Sequence, residues 1–273
     1  MTHRTQIMGI LNVTPDSFSD GGKWTDGEAL GQRIDQLIAE GADIIDVGGE
    51  STRPFAEPVP VEAELRRVVP AIQKIRQRSD IPISVDTSKA VVAREAIAAG
   101  ATLINDISAL RYDPQMIEVL RSFSGKVIIM HMQGTPGDMQ VNPRYANVID
   151  EINDFLAERI HWLENNGIDR TRIIVDPGVG FGKTLDHNLA ILRNIAAFSQ
   201  HGCPVLIGHS RKSFLGQLLN IPIEERDWPT AMVSVFLEKA GADIIRVHQV
   251  ETTIQAMKLM KRLEKREGQN CLE

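Results

Sequence analysis

Cysteine is scarce in this sequence, and the long apolar runs of membrane proteins are missing. The 273 residues include two cysteines, Cys203 and Cys271, which form neither a metal-type spacing nor a disulfide framework. No apolar run approaches the roughly 18 residues of a membrane helix. The first six residues are polar and contain no apolar signal region. We therefore expect a cytoplasmic protein that does not interact with membranes.

A basic surface is missing as well. The chain has 36 Asp and Glu against 30 Lys and Arg, for a net charge of −6. This balance argues against nucleic acid as a partner, although a local cluster of Arg and Lys can hold a small anion inside an acidic protein. The content of 42% hydrophobic and 24% charged residues is typical of globular proteins, and α/β barrels of this length usually form one domain.

Eight short apolar segments, rich in Ile and Val and bounded by Gly or Pro, predict β-strands. Between them, apolar residues recur at three- and four-residue spacing and predict helices. The predicted strands are Ile7–Leu11, Asp43–Val47, Pro82–Val85, Thr102–Ile104, Val127–Met130, Ile173–Val175, Pro204–Ile207 and Asp243–Val247. The predicted helices are Glu28–Glu40, Val61–Arg78, Ala90–Ala99, Pro114–Phe123, Val148–Asn165, Leu185–Phe198, Glu225–Lys239 and Glu251–Glu267. Eightfold strand–helix alternation predicts a parallel (β/α)8 TIM barrel.

Three segments repeat one pattern, in which a Gly ends a helix, an apolar run follows, and a polar residue comes five positions after the Gly. They are Gly41–Asp46, Gly100–Asn105 and Gly241–Arg246. A buried parallel strand is apolar, so a polar residue at its end needs a reason. Successive glycines of the pattern are separated by 59 and 141 residues. These separations are about two and four strand–helix units of roughly 31 residues each. The pattern indicates even-numbered strands that each carry a polar side chain to one rim.

Two of the connections that follow strands are longer than usual. They run from Val13 to Asp26, after strand one, and from Gly48 to Pro60, after strand two. Long loops on this rim of a barrel are usually lids or binding loops. We assign residues 1–267 to the barrel and residues 268–273 to a flexible tail.

The strand ends predict a site with two chemical regions, because active sites of this fold lie at the carboxyl rim. One region holds carboxylates and an amide, suited to a flat heterocycle with N–H donors and a ring carbonyl: Asp46, Asp86, Asn105 and Asp176. The other is cationic: Arg53, Lys212, Arg246 and His248. Arg binds phosphate oxygens in pairs. The segment after strand seven, Ser210–Leu218, is predicted to form a short extra helix, a common phosphate-binding feature of barrels.

No set of metal ligands is evident, but a magnesium ion that arrives with a diphosphate needs few protein ligands. Asn12, at the end of strand one, is positioned to offer it one oxygen. Other polar residues near strand ends are Asp106, His131 and Ser210. Asp or Asn at any single strand end often only caps a turn or helix; eight strands together make that explanation insufficient.

The motifs resemble those of the dihydropteroate synthase family. The first signature matches Met8–Gly22 and the second Asp46–Pro54. The remaining motifs follow in the family's order over nearly the whole chain: Ser84–Ser88, Ile104–Asp106, Met130–Gly134, Asp176–Lys183, Ser210–Lys212 and Arg246–His248.

This resemblance implies a transferase of folate biosynthesis, a sulfonamide target, which condenses 4-aminobenzoate with (7,8-dihydropterin-6-yl)methyl diphosphate. It also implies Mg²⁺ and a homodimer. Asp86, Asn105, Asp176 and Lys212 are then expected to bind the pterin, and Asn12, Arg53, Arg246 and His248 to surround the diphosphate and the metal. Phe18, Thr52, Arg53, Pro54, Phe181 and Ser210 are expected around the aminobenzoate. Asp86, Lys212 and Arg53 are the catalytic candidates, and Asp46 is expected beneath the pterin or supporting the second loop.

One residue departs from the family pattern. Residue 55 is Phe, where we expect the family's second loop to have Gly, and a Phe at positive φ is strained. We expect altered affinity for aminobenzoate or sulfonamide-type analogues, with an inert exposed residue as the alternative. Two other functions stay open: a pterin-dependent methyltransferase, which needs no diphosphate site, and a non-catalytic pterin-binding paralogue, which is expected to lose Asp86, Lys212 or Arg53.

Overall fold

Eight parallel strands form one sheet that curls into a barrel. The computed structural model describes residues 4–14, 26–51 and 56–264, with only the backbone of residues 26 and 27. The strands are β1 (Gln6–Asn12), β2 (Ile44–Gly48), β3 (Ile83–Asp86), β4 (Leu103–Asp106), β5 (Lys126–Met130), β6 (Ile173–Asp176), β7 (Leu206–Gly208) and β8 (Ile244–Val247). Their order in the sheet is β6-β5-β4-β3-β2-β1-β8-β7. A single parallel bridge between Val175 and Val205 joins β6 to β7, and the predicted TIM barrel is confirmed.

Helices follow the strands. They are α1 (Asp26–Ala39), α2 (Val61–Arg76), α3 (Ala90–Ala99), α4 (Met116–Ser122), α5 (Val148–Asn165), α6 (Leu185–Arg193), α7 (Ser213–Leu219), α8 (Asp227–Lys239) and α9 (Val250–Glu264). The predicted helix Leu185–Phe198 is shorter than expected, since α6 gives way to a 3₁₀ helix, Ile195–His201. The side chain of Asn194 donates back to the carbonyl of Ala190 at 2.8 Å, a local bond that competes with continuation of the α-helix. The predicted extra helix after β7 is α7.

The glycines of the repeated pattern end helices as the sequence predicts. Gly41, Gly100 and Gly241 have φ values of 91°, 117° and 92°, which other residues rarely adopt. Each lies just before β2, β4 or β8. The repeat therefore marks three even-numbered strands.

Side chains that point into the barrel form layers, with alternate strands supplying each layer. A separate buried cluster fills the lower part: Met8, Ile44, Leu103, Ile128, Ile174, Leu206 and Ile244. Side chains two residues apart on a strand share a face. The even strands therefore continue from their apolar members to a higher layer, which we call the polar layer: Asp46, Asn105, Asp176 and Arg246.

The odd strands place their side chains between these two levels. Ile128 pairs with Asn105 on one side and with Ile174 on the other, and Ser84 lies between Asp46 and Leu103 in the same way. The polar layer therefore rests on two layers that are apolar except for Ser84. Around the barrel, the main core lies between strands and helices and includes Ile34, Ile72 and Phe198.

The second long loop is held at its base by an ion-pair network. Lys89, just before α3, donates to Glu50 and, at 2.5 Å, to Glu64 of α2. Glu50 in turn accepts from the backbone N–H of Val59 at 2.8 Å, which ties the two ends of the loop together. Glu64 is wholly buried, so Lys89 supplies the charge that its carboxylate needs.

Across residues 4–14, 26–51 and 56–264, no helix has both the length and the apolarity to cross a bilayer. The expected tail, residues 268–273, and most of the first long loop lie outside the described residues.

Candidate active site

Asp46 accepts hydrogen bonds from two other members of the polar layer. Its Oδ2 accepts from Arg246 Nε at 2.6 Å and from Asn105 Nδ2 at 3.3 Å. The three polar residues of the repeated pattern therefore meet at one carboxylate oxygen. Asp46 is wholly buried, as expected for a residue beneath a ligand rather than beside it.

Asp86 ends β3 and lies above the polar layer. Its Oδ2 accepts from Arg246 Nη2 at 2.9 Å. Burial raises the pKa of Asp86 to about 7 because an ionised carboxylate loses hydration there. Arg246 opposes this rise, while the negative charges of Asp46, Glu64 and Asp106 add to it.

Asp176 ends β6 and faces the same space. Its Oδ1 accepts from the backbone N–H of Gly178 at 2.7 Å. Burial raises the pKa of Asp176, while Lys212, Lys183 and Arg246 act against the rise. Gly208, at the end of β7, leaves room here, since an added Cβ would lie 3.8 Å from Asp176 Oδ2 and 3.9 Å from Arg246 Cδ.

Lys212 enters the mouth from the loop after β7. Its ammonium group lies 4.3 Å from the centre of the Phe181 ring and donates to the carbonyl of Val179. Burial lowers the pKa of Lys212 to about 7, against the opposite effect of Asp176 and Asp86. A cation on an aromatic face next to carboxylates is suited to bind a flat, partly charged ring.

His248 and Ser210 form a pair at the end of β8. Ser210 Oγ accepts from the His248 backbone N–H at 3.1 Å and lies 2.8 Å from His248 Nδ1. When this hydroxyl donates to Nδ1, the neutral imidazole carries its proton on Nε2. Arg33 of α1 donates to the His248 carbonyl at 2.6 Å, which adds a guanidinium group to this end of the mouth.

Asn12 ends β1 on the side of Asp86. A Cβ added to Gly48 would lie 3.7 Å from Asn12 Oδ1 and 3.9 Å from Asp86 Oδ2. Glycine at residue 48 therefore keeps the space between an amide oxygen and a carboxylate open. Among the described residues, no group of three or more His, Cys, Asp or Glu could hold a metal ion.

Several predicted site residues lie outside the described part of the chain. These are Phe18, Thr52, Arg53 and Pro54, together with Phe55. The others meet at one mouth: Asn12, Asp86, Asn105, Asp176, Phe181, Ser210, Lys212, Arg246 and His248. The two chemical regions adjoin, because Arg246, expected at the diphosphate end, pairs with Asp46 and Asp86 of the carboxylate region.

The sequence prediction missed Lys183. Its Nζ lies 3.0 Å from His131 Nδ1 and donates to the Phe181 carbonyl at 2.9 Å. Burial lowers the pKa of Lys183 well below its usual value and that of His131 to about 2. Lys183 thus supports the loop that carries Phe181. The only sequence signal was a Lys that closes a Gly-rich loop.

Asp106 is a strand-end carboxylate whose hydrogen bonds only stabilise a turn. Its Oδ1 accepts from the Ser108 backbone N–H at 2.8 Å and hydroxyl at 2.7 Å, and its Oδ2 accepts from Leu110 N–H at 3.2 Å. Every one of these bonds holds the turn after β4. Asp106 is wholly buried and serves that turn.

An eight-stranded α/β barrel with carboxylates, an amide and cations converging at the carboxyl ends of its strands is the architecture of a barrel enzyme for a polar, anionic small molecule. A family model described as pterin binding enzyme matches residues 8–248. Escherichia coli K12 dihydropteroate synthase is 46% identical over 255 residues, which cover 93% of this chain and 90% of the relative. The chain therefore belongs to the pterin-binding enzymes and, within them, to the dihydropteroate synthase family.

Solved structures agree with this assignment. A Yersinia pestis dihydropteroate synthase in complex with a sulfonamide drug is 44% identical, with a TM-score of 0.88 over 95% of this chain and 94% of that one. A Xanthomonas albilineans dihydropteroate synthase in complex with 7,8-dihydropteroate is 40% identical, with a TM-score of 0.87 over 96% and 95%. These relatives favour the synthase over the methyltransferase alternative.

Proposed function

We propose that this protein condenses 4-aminobenzoate with (7,8-dihydropterin-6-yl)methyl diphosphate to give 7,8-dihydropteroate and diphosphate, a step of folate biosynthesis. The observation that carries the proposal is the junction at Arg246, which joins the carboxylates Asp46 and Asp86 to the mouth that also holds His248. A substrate with a polar ring at one end and an anion at the other fits this arrangement.

At the pterin end, Asp86, Asn105, Asp176 and Lys212 bind the ring. Carboxylates accept from ring N–H groups, while Lys212 donates to a ring carbonyl. Asp86, Asn105 and Asp176 lie at the carboxyl ends of β3, β4 and β6, and Lys212 lies in the loop after β7. The ring then lies on the polar layer, above the apolar interior of the barrel.

At the diphosphate end, Arg53, Arg246 and His248 hold the anion. Arg246 has Nε and Nη2 engaged by carboxylates, which leaves Nη1 for an anion. His248 contributes an N–H on Nε2 when Ser210 donates to Nδ1. Two cations and an imidazole stabilise the charge that develops on a departing diphosphate.

At the aminobenzoate site, Phe181 and Ser210 are the contributors among the described residues. The family resemblance adds Phe18, Thr52, Arg53 and Pro54, which lie outside the described part of the chain. Phe181 also packs against Met132 and Met139, so its ring is held from behind by an apolar cluster. Sulfonamide-type analogues occupy this same space.

The chemical step separates diphosphate from the pterin methylene before the aminobenzoate nitrogen attacks. Positive charge then develops on the methylene, and the carboxylates of Asp86 and Asp176 stabilise it from fixed positions. The methylene C–O bond breaks with its electron pair leaving on the diphosphate; the aniline nitrogen then forms the new C–N bond with its lone pair and releases one proton. Exclusion of water protects the cation from hydrolysis to a pterin carbinol.

Magnesium fits this mouth as an ion that arrives with the diphosphate. Hard oxygen donors suit Mg²⁺, and Asn12 Oδ1 and Asp86 Oδ2 lie on either side of the space at Gly48. Asn12 would supply one ligand, and substrate and water would supply the rest. When bound, the ion neutralises charge on the leaving group.

A second copy of this chain covers an apolar stripe on α8. Trp228, Met232 and Phe236 recur every four residues and are 67%, 48% and 49% exposed. Leu259 and Leu263 of the neighbouring α9 are 60% and 69% exposed. Such contiguous apolar surface is typical of protein interfaces, which supports a homodimer.

The buried thiol of Cys203, which forms no disulfide in the described structure, fits a cytoplasmic location.

Turnover tests the proposed activity directly. Purified protein is incubated with the pterin diphosphate, 4-aminobenzoate and Mg²⁺, and dihydropteroate and diphosphate are quantified separately. We expect equal amounts of the two products. Absence of both products defeats the proposal and favours the non-catalytic paralogue, while pterin carbinol in place of dihydropteroate contradicts the proposed protection of the cation.

A matched pair of variants identifies the site in the same assay. Asp176→Asn is expected to lower kcat/KM about 100-fold or more, the usual effect of losing a group that stabilises transition-state charge. Asp106→Asn changes an equally buried strand-end carboxylate that holds a turn and contacts no site residue by a hydrogen bond. Because its charge raises the pKa of Asp86, we expect the acid limb of the pH profile to move to lower pH, with kcat/KM on the alkaline side of neutrality close to that of the unmodified protein. Equal losses in the two variants contradict the assignment.

A further inference from the structure

Two residues that the proposed function places at opposite ends of the substrate share one partner. Asn105, assigned to the pterin, and Arg246, assigned to the diphosphate, both donate to Oδ2 of Asp46, at 3.3 Å and 2.6 Å. Asp46 is 0% exposed, so a ligand in the mouth has no access to it. Whatever Asp46 contributes therefore passes through the two side chains that it holds.

For Asn105, the contact with Asp46 determines which amide atom faces the ligand. An ionised carboxylate only accepts hydrogen bonds, so Asn105 turns its NH₂ group toward Asp46. The carbonyl oxygen of Asn105 is then the atom presented to the mouth, where it can accept from a ring N–H. A neutral amide in place of Asp46 imposes no such orientation, because it offers both donors and an acceptor.

For Arg246, the contact fixes the plane of the guanidinium group. Nε is held by Asp46 at 2.6 Å and Nη2 by Asp86 at 2.9 Å. Two charge-assisted hydrogen bonds from one planar group leave little rotational freedom. Nη1 has no hydrogen-bond acceptor among the described residues, and its position is fixed together with the rest of the guanidinium plane.

One carboxylate oxygen of Asp46 lowers the stability of the folded protein. Its Oδ1 and the hydroxyl of Ser84, on the adjacent strand position, are buried without hydrogen-bond partners in the described structure. Unsatisfied buried polar atoms are destabilising. Because this burial lowers stability, the carboxylate of Asp46 is inferred to have a role in the site above it.

We propose that Asp46 is a positioning residue that couples the pterin end of the site to the diphosphate end, by orienting Asn105 and Arg246 from a single oxygen. The inference rests on the proposed function, and it adds a residue that touches neither substrate. Its signature is that one substitution weakens ligands at both ends while binding of aminobenzoate is unaffected, since Asp46 makes no hydrogen bond to Phe181 or Ser210, the described residues of that site.

The test is Asp46→Asn, measured by calorimetry with two separate probes, 6-hydroxymethyl-7,8-dihydropterin for the ring end and inorganic diphosphate with Mg²⁺ for the anion end. We expect the affinity for each probe to fall, with kcat/KM for the pterin diphosphate lowered about 10- to 100-fold, as is common when a carboxylate that orients site ligands is lost. KM for 4-aminobenzoate is expected to stay within about twofold. Unchanged affinity for either probe overturns the coupling.

Two controls separate positioning from folding. Ser84→Ala removes a buried hydroxyl that has no hydrogen-bond partner among the described residues, and it is expected to keep the unmodified kinetic constants. Asp106→Asn removes a carboxylate with the same 0% exposure; on the alkaline side of neutrality, where Asp86 is ionised with or without the charge of Asp106, it is expected to bind both probes with unmodified affinity. A fall in melting temperature for Asp46→Asn without any change in binding assigns Asp46 a structural role and overturns the proposal.

A thermodynamic cycle covers the case in which Asp46→Asn does not fold. Asn105→Ala, Arg246→Gln and the double variant are unfolded with urea in the absence of ligand. Asp46 links the two side chains, so we expect their effects to be non-additive; additive effects overturn the inference. Turnover by the unmodified protein is measured first. Its absence defeats the proposed function, whereas normal turnover with an unaffected Asp46→Asn defeats this inference alone.

Discussion

At the scale of single residues, Asp86 and Lys212 are driven toward the same pKa from opposite directions. Burial raises the pKa of Asp86 to about 7 and lowers that of Lys212 to about 7, because removing water disfavours each charged form. The charges of Arg246, Asp46, Glu64 and Asp106 also act on the pKa of Asp86, and those of Asp176, Arg246 and Asp86 act on the pKa of Lys212. Asp86 is therefore ionised and Lys212 protonated at the same time only over a narrow pH interval near neutrality.

This balance predicts a bell-shaped pH dependence of kcat/KM for the pterin diphosphate. Below its pKa of about 7, Asp86 gains a proton and ceases to accept ring N–H groups. Above its pKa of about 7, Lys212 loses its charge and ceases to bind as a cation. Since kcat/KM reports the free protein, we expect a maximum near neutral pH with a fall on both sides, measured by steady-state kinetics in buffers of constant ionic strength.

Lys212→Arg provides the matched variant for this prediction. Arginine stays charged at any pH used, so we expect the alkaline fall to disappear while the acid fall remains, whatever the absolute rate. A profile that is flat across neutrality in the unmodified protein contradicts the pKa shifts of both residues.

The sequence could predict which side chains reach the mouth but not which atoms pair there. Asp86, Asn105, Asp176 and Lys212 follow apolar runs, and strand ends of a parallel barrel share one rim. The hydrogen bond from Arg246 to Asp46 joins positions 200 residues apart, and its geometry depends on the layers inside the barrel. Lys183 lay outside prediction for a similar reason, because its burial against His131 results from how the loop after β6 folds back.

At the scale of elements, the loop after β6 is shaped by glycine. Gly178, with φ 71°, passes so close to β5 that an added Cβ would lie 1.9 Å from the carbonyl oxygen of His131. The same turn lets the Gly178 N–H bind Asp176. Gly167, at the end of α5, also has a positive φ, 84°, but nothing lies within 4 Å of an added Cβ.

These two glycines predict different responses to the same substitution. Gly178→Ala combines backbone strain with a clash against main chain, and we expect a loss of about 2–5 kcal/mol in the free energy of unfolding. Gly167→Ala brings only the strain, about 1–2 kcal/mol. Urea denaturation measures both. A loss at Gly167 equal to or greater than that at Gly178 contradicts the close approach to His131.

Elements were largely predictable because their signals are local. Ile- and Val-rich runs bounded by Gly or Pro located all eight strands, and Gly41, Gly100 and Gly241 located helix ends. The prediction failed at the end of α6. There the Asn194 side chain donates to the Ala190 carbonyl, and the helix ends earlier than its apolar spacing indicates. Periodicity measures burial along a helix and carries no information on such a local bond.

At the scale of the whole molecule, the exposed stripe on α8 and α9 predicts self-association. Met232, 48% exposed, lies at the middle of the stripe, between Trp228 and Phe236. A charge there is costly to bury unpaired, so we expect Met232→Glu to convert a dimer to a monomer in sedimentation velocity. Val91→Glu, which changes an apolar residue of α3 that is 38% exposed, is expected to leave the dimer intact. A monomeric unmodified protein contradicts the proposed homodimer.

The layering of the barrel interior also governs how protons reach the site. Asp46, Asn105, Asp176 and Arg246 rest on side chains such as Met8 and Ile128, which are 0% exposed. Apart from the hydroxyl of Ser84, these layers offer no polar side chain toward the opposite end of the barrel, so water reaches Asp86 and Asp176 through the mouth. A ligand that fills the mouth therefore covers the route by which these carboxylates exchange protons with solvent.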